Sequence, residues 1–229
     1  MPKLSIITVN LNNAEGLRKT IESVVNQTFN DYEYIIIDGG STVGSVDIIK
    51  QYADKITYWV SEPDKGIYNA MNKGIKVAKG EYCYFLNSGD YLKNNFILNT
   101  IFSKKINKDY IYGNIELNNY TLKYPKDLTF YFFFTNTICH QAIFIKSNLF
   151  KKFGFYDEKL TIVADWEFYL RTFILANSTY IYLDETISVY DTNGMSSKPE
   201  LSEKLNSQRK KTLLKYFPMM YEDYSEIQK

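Results

Sequence analysis

The sequence predicts an α/β fold: a mostly parallel sheet with helices on both faces, extended by a smaller α+β region and a C-terminal helix. Three observations predict it. Four short apolar runs alternate with three stretches of helical spacing over roughly the first ninety residues, which is the pattern of right-handed βαβ crossovers. The runs lack polar alternation, as strands covered on both faces do. With 229 residues and 45% hydrophobic content, the chain carries enough apolar surface for a substantial core.

Leu4 to Leu11 is the first run, β-branched and closed by Asn10-Leu11-Asn12-Asn13. Leu17, Ile21, Val24 and Val25 then share one helical face, with Asn12 or Asn13 as its cap. Tyr34 to Ile37 is the second strand and ends in Asp38-Gly39-Gly40-Ser41. Ser45 caps an amphipathic stretch through Ile48, Ile49 and Tyr52, and Ile56 to Val60 is the third strand, leading into Ser61-Glu62-Pro63-Asp64-Lys65-Gly66. Ile67, Met71, Ile75 and Ala78 trace the third helix, and Glu81 to Asp90 is the fourth strand. Taken alone, the Asn87-Ser88-Gly89-Asp90 end of that strand also reads as an ordinary turn.

Beyond Asp90 the alternation loosens. Asn94 or Asn95 is placed to cap a helix reaching Lys104, and Tyr110 to Leu117 with Tyr120 to Tyr124 reads as a hairpin across Asn118-Asn119. Five consecutive aromatics, Phe130 to Phe134, read as core packing or as an apolar contact surface. Ile138 to Ile145 reads as a strand carrying His140 and Gln141, and Ile162 to Leu175 as a helix bearing Asp165 and Glu167 near its start. Two short strands, Tyr180 to Leu183 and Ile187 to Tyr190, precede a Gly194-Met195-Ser196-Ser197 turn, and Asn193 to Pro199 is linker-like. Leu201 to Phe217 is a basic amphipathic helix. The simplest division is a crossover half over residues 1–92, a looser α+β half of the same domain over 93–198, and a helical tail over 199–229.

Lys plus Arg (27) nearly cancel Asp plus Glu (26), so no global field draws the protein to nucleic acid, and any anion site is local. Cys83 and Cys139 sit far apart in apolar segments, where reduced buried thiols are expected. No signal peptide precedes Lys3, and no apolar run approaches the ~20 residues that span a bilayer. The expected location is cytoplasmic, with peripheral contact at the inner face of the cell membrane as one use of the C-terminal helix. That helix carries Lys204, Arg209, Lys210, Lys211 and Lys215 beside Leu201, Leu205, Leu213, Leu214 and Phe217. An anionic membrane surface, a homodimer contact or a merely solvated basic face all suit it.

The chemistry is expected at the carboxyl edge of the sheet, where open α/β sheets bind ligands. Thr8 and Asn10 end strand one, Asp38 ends strand two, Asp64 and Lys65 follow strand three, and Asn87 and Asp90 end strand four. A carboxylate such as Asp38 accepts hydrogen bonds from an imide N–H or a ribose hydroxyl, and neighbouring hydroxyl and amide side chains complete a base-reading edge. Asp90 can serve a diphosphate indirectly by holding Mg²⁺ or Mn²⁺, hard cations that prefer oxygen ligands. The two commonest nucleotide fingerprints, Gly-x-x-x-x-Gly-Lys-Ser/Thr and Gly-x-Gly-x-x-Gly, are absent. His140 with Gln141 reads either as the lining of an acceptor pocket or as a hydrogen-bonded structural pair.

Five motifs in order resemble the family 2 glycosyltransferases with the GT-A, Rossmann-like fold, in particular the bacterial branch that builds capsular, exopolysaccharide or lipopolysaccharide repeats. They are Ser5-Ile6-Ile7-Thr8-Val9-Asn10, Ser23-Val24-Val25-Asn26-Gln27-Thr28, Ile37-Asp38-Gly39-Gly40-Ser41-Thr42, the run Glu62 to Gly74 that includes Asp64, Lys65 and Asn72, and Leu86-Asn87-Ser88-Gly89-Asp90. The resemblance covers about residues 3–197. It implies inverting transfer of a sugar from a nucleotide diphosphate, usually UDP, to a hydroxyl of a growing surface polysaccharide or lipid-linked oligosaccharide. Thr8, Asn10, Asp38, Asp64, Lys65, Asn72 and Asn87 would face the donor. Asp165 matches the family's catalytic base, with Trp166 continuing the motif on the acceptor side. The family's Asp-x-Asp reads Asn87-Ser88-Gly89 here, which leaves Asp90, one place later, as the acid for Mn²⁺ or Mg²⁺.

Two other functions compete on the same residues. A catalytically silent sugar-nucleotide-binding subunit of a polysaccharide assembly complex suits the altered Asp-x-Asp, but has no need of an acid at 165. A nucleotidyltransferase would want a glycine-rich, basic loop after strand one, where the chain has Asn10-Leu11-Asn12-Asn13.

Overall fold

A computed structural model of the chain describes residues 1–118, 120–192 and 201–227. The expected turn at Gly194 to Ser197, the linker from Asn193 to Pro199, and Asn119 of the hairpin loop lie outside the described residues. The first half alternates as β1 (Leu4–Asn10), α1 (Ala14–Val25), β2 (Tyr32–Asp38), α2 (Ser45–Gln51), β3 (Tyr58–Ser61), α3 (Ile67–Val77) and β4 (Tyr82–Phe85). Strand order is β3-β2-β1-β4, all parallel. Asn13 is the cap that α1 uses, its side-chain oxygen accepting from Gly16 N at 3.1 Å.

The second half continues the same sheet with mixed pairing. It runs β5 (Tyr91–Leu92), α4 (Ile97–Phe102), β6 (Tyr110–Leu117), β7 (Tyr120–Leu122), α5 (Phe130–Thr135), β8 (Ile143–Lys146), α6 (Ser147–Phe153), α7 (Ala164–Tyr169), β9 (Tyr180–Tyr190), α8 (Ser202–Tyr216) and α9 (Pro218–Ile227). Strand β8 lies antiparallel beside β4, β6 antiparallel beside β8, β9 parallel to β6, and β5 antiparallel on β9. Parallel pairing thus dominates the first half and not the second.

Strand periodicity divides the core between the two faces of the sheet. Ile7, Val9, Ile35, Ile37, Cys83 and Phe85 pack toward α3 and α5–α8, while Leu4, Ile6, Tyr34, Ile36, Tyr82 and Tyr84 pack toward α1, α2 and α4. Helices therefore cover both faces, as expected. The aromatic block forms α5, capped by the Thr129 hydroxyl on Phe132 N. Phe133 is buried against Phe173, while Phe130 and Phe134 meet Phe217, Tyr221 and Tyr224 from α8 and α9.

Several local expectations are corrected. Residues His140–Ala142 form a 3₁₀ turn before β8 rather than part of a strand. The two short strands near Tyr180 are one continuous strand, β9, bulged where it passes Gly113 and Asn114. The helix expected from Ile162 begins at Ala164, and its last turn widens to π-helical form over Leu170–Leu175. There Arg171 folds back onto Glu167 Oε1 at 2.7 Å and onto the carbonyls of Phe153 and Phe155. Helices α6 and α9 were not anticipated, because each is short and borrows its apolar face from contacts distant in sequence. Among the described residues no helix is long and apolar enough to cross a membrane.

Helix α8 spends its apolar face on its own domain. Leu213 and Phe217 are buried and Leu205 packs on the core. The helix also covers the segment that carries Asp165. Gln208 Oε1 accepts from Ile162 N at 3.2 Å, Tyr216 OH donates to Glu167 Oε1 at 2.8 Å, and the Arg209 guanidinium lies 4.8 Å over the Trp166 ring. Lys204, Lys210, Lys211 and Lys215 are exposed.

Candidate active site

The carboxyl ends of β1, β2 and β3 come into register as one hydrogen-bonded row. Asn10 pairs with Asp38, and Asp38 with Ser61. Asp38 is fully buried and accepts from Asn10 Nδ2 (2.6 Å), Ser41 Oγ (2.6 Å), Ser41 N (2.9 Å) and Ser61 Oγ (2.6 Å). Burial alone would raise its pKa, but these bonds outweigh it and hold the carboxyl below its usual range. The carboxylate of Asp64 lies where a side chain on Gly39 would go, so Gly39 leaves room for Asp64 in its present position. Lys65 beside it is exposed.

Of the residues expected at the donor edge or acceptor pocket, Thr8, Asn72 and Trp166 are enclosed, as are Asn10, Asp38 and Gln141. Thr8 is fully buried, with its hydroxyl on Leu86 O (2.8 Å) and Tyr34 OH (3.0 Å). Asn72 spends its amide on Tyr156 O, Tyr156 N and Glu158 Oε1, pinning the segment after α6 to α3. Trp166 is 1% exposed, and its indole N–H donates to Phe133 O at 2.7 Å. The polar side-chain atoms of Thr8, Asn72 and Trp166 are thus paired within the protein.

A second connected set joins the two halves. Asn87, just past β4, has its Nδ2 2.9 Å from His140 Nε2, and His140 Nδ1 stands 3.5 Å from Asp165 Oδ2. The other oxygen of Asp165 accepts from Tyr68 OH at 2.8 Å and from Trp166 N at 2.9 Å. Tyr68 belongs to α3, and its hydroxyl is held protonated first by burial and then by the charge of Asp165. Asp165 thus receives one donor from the nucleotide-side half and one from its own helix, while its side chain stays 15% exposed. Sequence reading had Tyr68 within a motif without a role, since nothing local tells that its hydroxyl meets residue 165.

Asp90 is 4% exposed, with Oδ2 accepting from Gln141 Nε2 (2.7 Å) and Oδ1 from Asp191 N (2.9 Å). Gln141 is itself buried, and its carbonyl accepts from Tyr84 OH and Ser188 Oγ. The antiparallel register of β5 on β9 pairs Tyr91 with Val189, which brings Gly89 opposite Asp191. A Cβ on Gly89, whose φ is +105°, would lie 2.5 Å from Asp191 Oδ2. The place of the missing second acid is therefore taken in space by a carboxylate from the far end of the sheet, a residue that sequence reading missed. Thr20 of α1 fixes this turn, accepting from Gly89 N and donating to Asp90 O. Among the described residues no group of three His, Cys, Asp or Glu side chains is arranged to hold a metal ion. Two carboxylates, Asp90 and Asp191, lie at this turn, and both oxygens of Asp90 already accept hydrogen bonds within the protein.

Burial pushes the Asp90 carboxyl up to about 6 from 3.8; its hydrogen bonds oppose this and the Asp191 charge adds to it. The folded state then binds the proton more tightly than the unfolded chain. This stabilisation is fully present below pH 3.8 and is lost as pH rises through about 6, amounting to about 3 kcal/mol. In EDTA, urea unfolding of the wild type is expected to lose about 2.4 kcal/mol more stability between pH 4 and 7 than unfolding of Asp90→Asn. Parallel pH curves would refute it.

The family model described as Glycosyl transferase family 2 matches residues 5–166. The chain belongs to glycosyl transferase family 2. A PGL/p-HBAD biosynthesis glycosyltransferase of Mycobacterium tuberculosis is 31% identical over 201 residues, covering 84% of this chain and 78% of its own. An uncharacterized glycosyltransferase of the same species is 32% identical over 210 residues, covering 88% and 79%. Among solved structures, S. aureus TarS 1–349 in complex with UDP superposes with TM-score 0.73 at 18% identity, covering 93% of this chain and 65% of that one. The mannosyltransferase PcManGT from Pyrobaculum calidifontis, in complex with GDP-Man and Mn²⁺, gives TM-score 0.66 at 15% identity, covering 96% and 64%. This family 2 glycosyltransferase therefore has the GT-A fold, and it spans less than two thirds of either solved chain.

Proposed function

We propose that the protein transfers a sugar, with inversion, from a nucleotide diphosphate donor, most simply a UDP-sugar, to a hydroxyl of a bacterial surface polysaccharide or lipid-linked oligosaccharide. The observation that carries the reading is Asp165, an acid held by Tyr68 and Trp166 N through one oxygen and left partly exposed beside the sheet's carboxyl edge. In the reaction, the acceptor oxygen bonds to the anomeric carbon from the face opposite the diphosphate. The bond from that carbon to the diphosphate oxygen breaks, and Asp165 takes the acceptor's proton. A silent sugar-nucleotide binder has no use for an acid held this way.

The donor side of this reading rests on Asn10, Asp38, Asp64 and Asn87, with Asp38 holding the hydroxyls of Ser41 and Ser61 at the strand ends. The UDP and GDP-Man complexes of the structural neighbours support a nucleotide sugar of one of these two kinds. Asp90 and Asp191 would hold a divalent cation, which when bound neutralises charge on the departing diphosphate. Addition of UDP with Mn²⁺ is expected to stabilise the protein by about 2.7 kcal/mol at a hundred times its dissociation constant, visible as a rise in melting temperature. No shift with either UDP or GDP would overturn the donor assignment.

A further inference from the structure

We propose that His140 is a positioning residue that ties donor contact at Asn87 to the acid Asp165, its Nδ1–H pinned toward the carboxylate; this deepens the reading of Asp165 as the base and rests on it. The ring belongs to neither partner's element. It stands on the 3₁₀ turn between α5 and β8, one nitrogen 2.9 Å from Asn87 Nδ2 and the other 3.5 Å from Asp165 Oδ2. An ionised carboxylate can only accept, so the proton in that second gap is the ring's. A neutral ring then has a bare Nε2, which the Asn87 amide N–H fills. With the Asn87 amide in this orientation, a neutral ring carries its proton on Nδ1, against the Nε2–H form that a neutral imidazole prefers in water.

Two details give the tie a use. Asn87 Oδ1 is buried and has no hydrogen-bond partner among the described residues, so its acceptor capacity is left for a ligand hydroxyl or amide at the strand end. A ligand bonded there locks the amide with its N–H toward His140 and thereby locks the ring proton toward Asp165. The 3.5 Å gap to Asp165 is longer than a strong hydrogen bond, and catalytic bonds of this kind tighten in the substrate complex. Tyr68 and Trp166 N hold Oδ1 of the acid, so His140 orients the oxygen that remains for the acceptor's proton.

The sequence contains a single histidine, so its imidazole signals in the ¹⁵N-labelled protein need no assignment. Two-bond nitrogen–proton correlation spectra are expected to show the Nδ1–H tautomer in the wild type, and a mixture of tautomers in Asn87→Ala. In parallel, hydrolysis of UDP-glucose, UDP-GlcNAc and GDP-mannose is compared for two variants. His140→Asn retains an amide N–H near the Nδ1 position, and His140→Gln one near Nε2. The Asn variant is expected to keep most of the wild-type kcat, and the Gln variant to lose on the order of 10- to 100-fold, with the donor KM unchanged in both. An Nε2–H spectrum in the wild type, or equal loss in the two variants, would overturn the role given to His140 while leaving Asp165 as base. Full activity in Asp165→Asn would overturn the base itself, and the tie to it with it.

Discussion

Asp165→Asn is expected to lower sugar transfer by about 10²- to 10⁴-fold, the usual worth of a general base, without loosening the fold. The replacement is isosteric, and its amide oxygen still accepts from Tyr68 OH and Trp166 N, the bonds that now seat the acid. What it lacks is a basic oxygen for the acceptor's proton. Thermal protection by UDP should be unchanged, since the donor row of Asn10, Asp38 and Ser41 is not touched. Measuring kcat and the UDP-induced melting shift on the same preparation separates the readings. Wild-type turnover in the variant would remove Asp165 from the chemistry, and negligible turnover in both proteins would favour the silent binder.

Trp166→Ala is expected to destabilise the protein by about 3–5 kcal/mol, the range for removing a large aromatic from a packed interior. The indole is 1% exposed, its N–H satisfies Phe133 O, and its face carries the Arg209 guanidinium at 4.8 Å. Truncation leaves a cavity, an unpaired carbonyl and a half-buried cation without its platform at once. Urea unfolding followed by tryptophan-independent circular dichroism measures this directly. A loss below about 1 kcal/mol would mean that the site collapses around the missing ring, contrary to close packing of this region. The residue was expected to line the acceptor pocket; its worth is instead in fixing α5, α8 and the helix start that bears Asp165.

The strands and helices up to Asp90 were legible because their evidence is local. A strand covered on both faces writes an apolar run, and a helix on the sheet writes a stripe of spacing three and four. Asn10, Asp38 and Asn87 could be placed at the carboxyl edge for the same reason, as polar residues closing such runs. Thr8 and Asn72 show the limit of that inference. They lie in the right motifs, yet their polar atoms are used up inside the protein, on Tyr34 and Leu86 in one case and on residues 156 and 158 in the other.

By itself, then, the sequence determined the crossover half of the fold, the edge where ligands should bind and, through ordered motifs, the family. Only the tertiary structure decided which groups meet there. Asp191 reaches Gly89 through strand pairing across about a hundred residues, Tyr68 and His140 reach Asp165 from two other elements, and Arg209 reaches Trp166 from the last helices. Such contacts leave no periodic trace, because each depends on the register of a whole sheet or the seating of a whole helix rather than on neighbours in the chain.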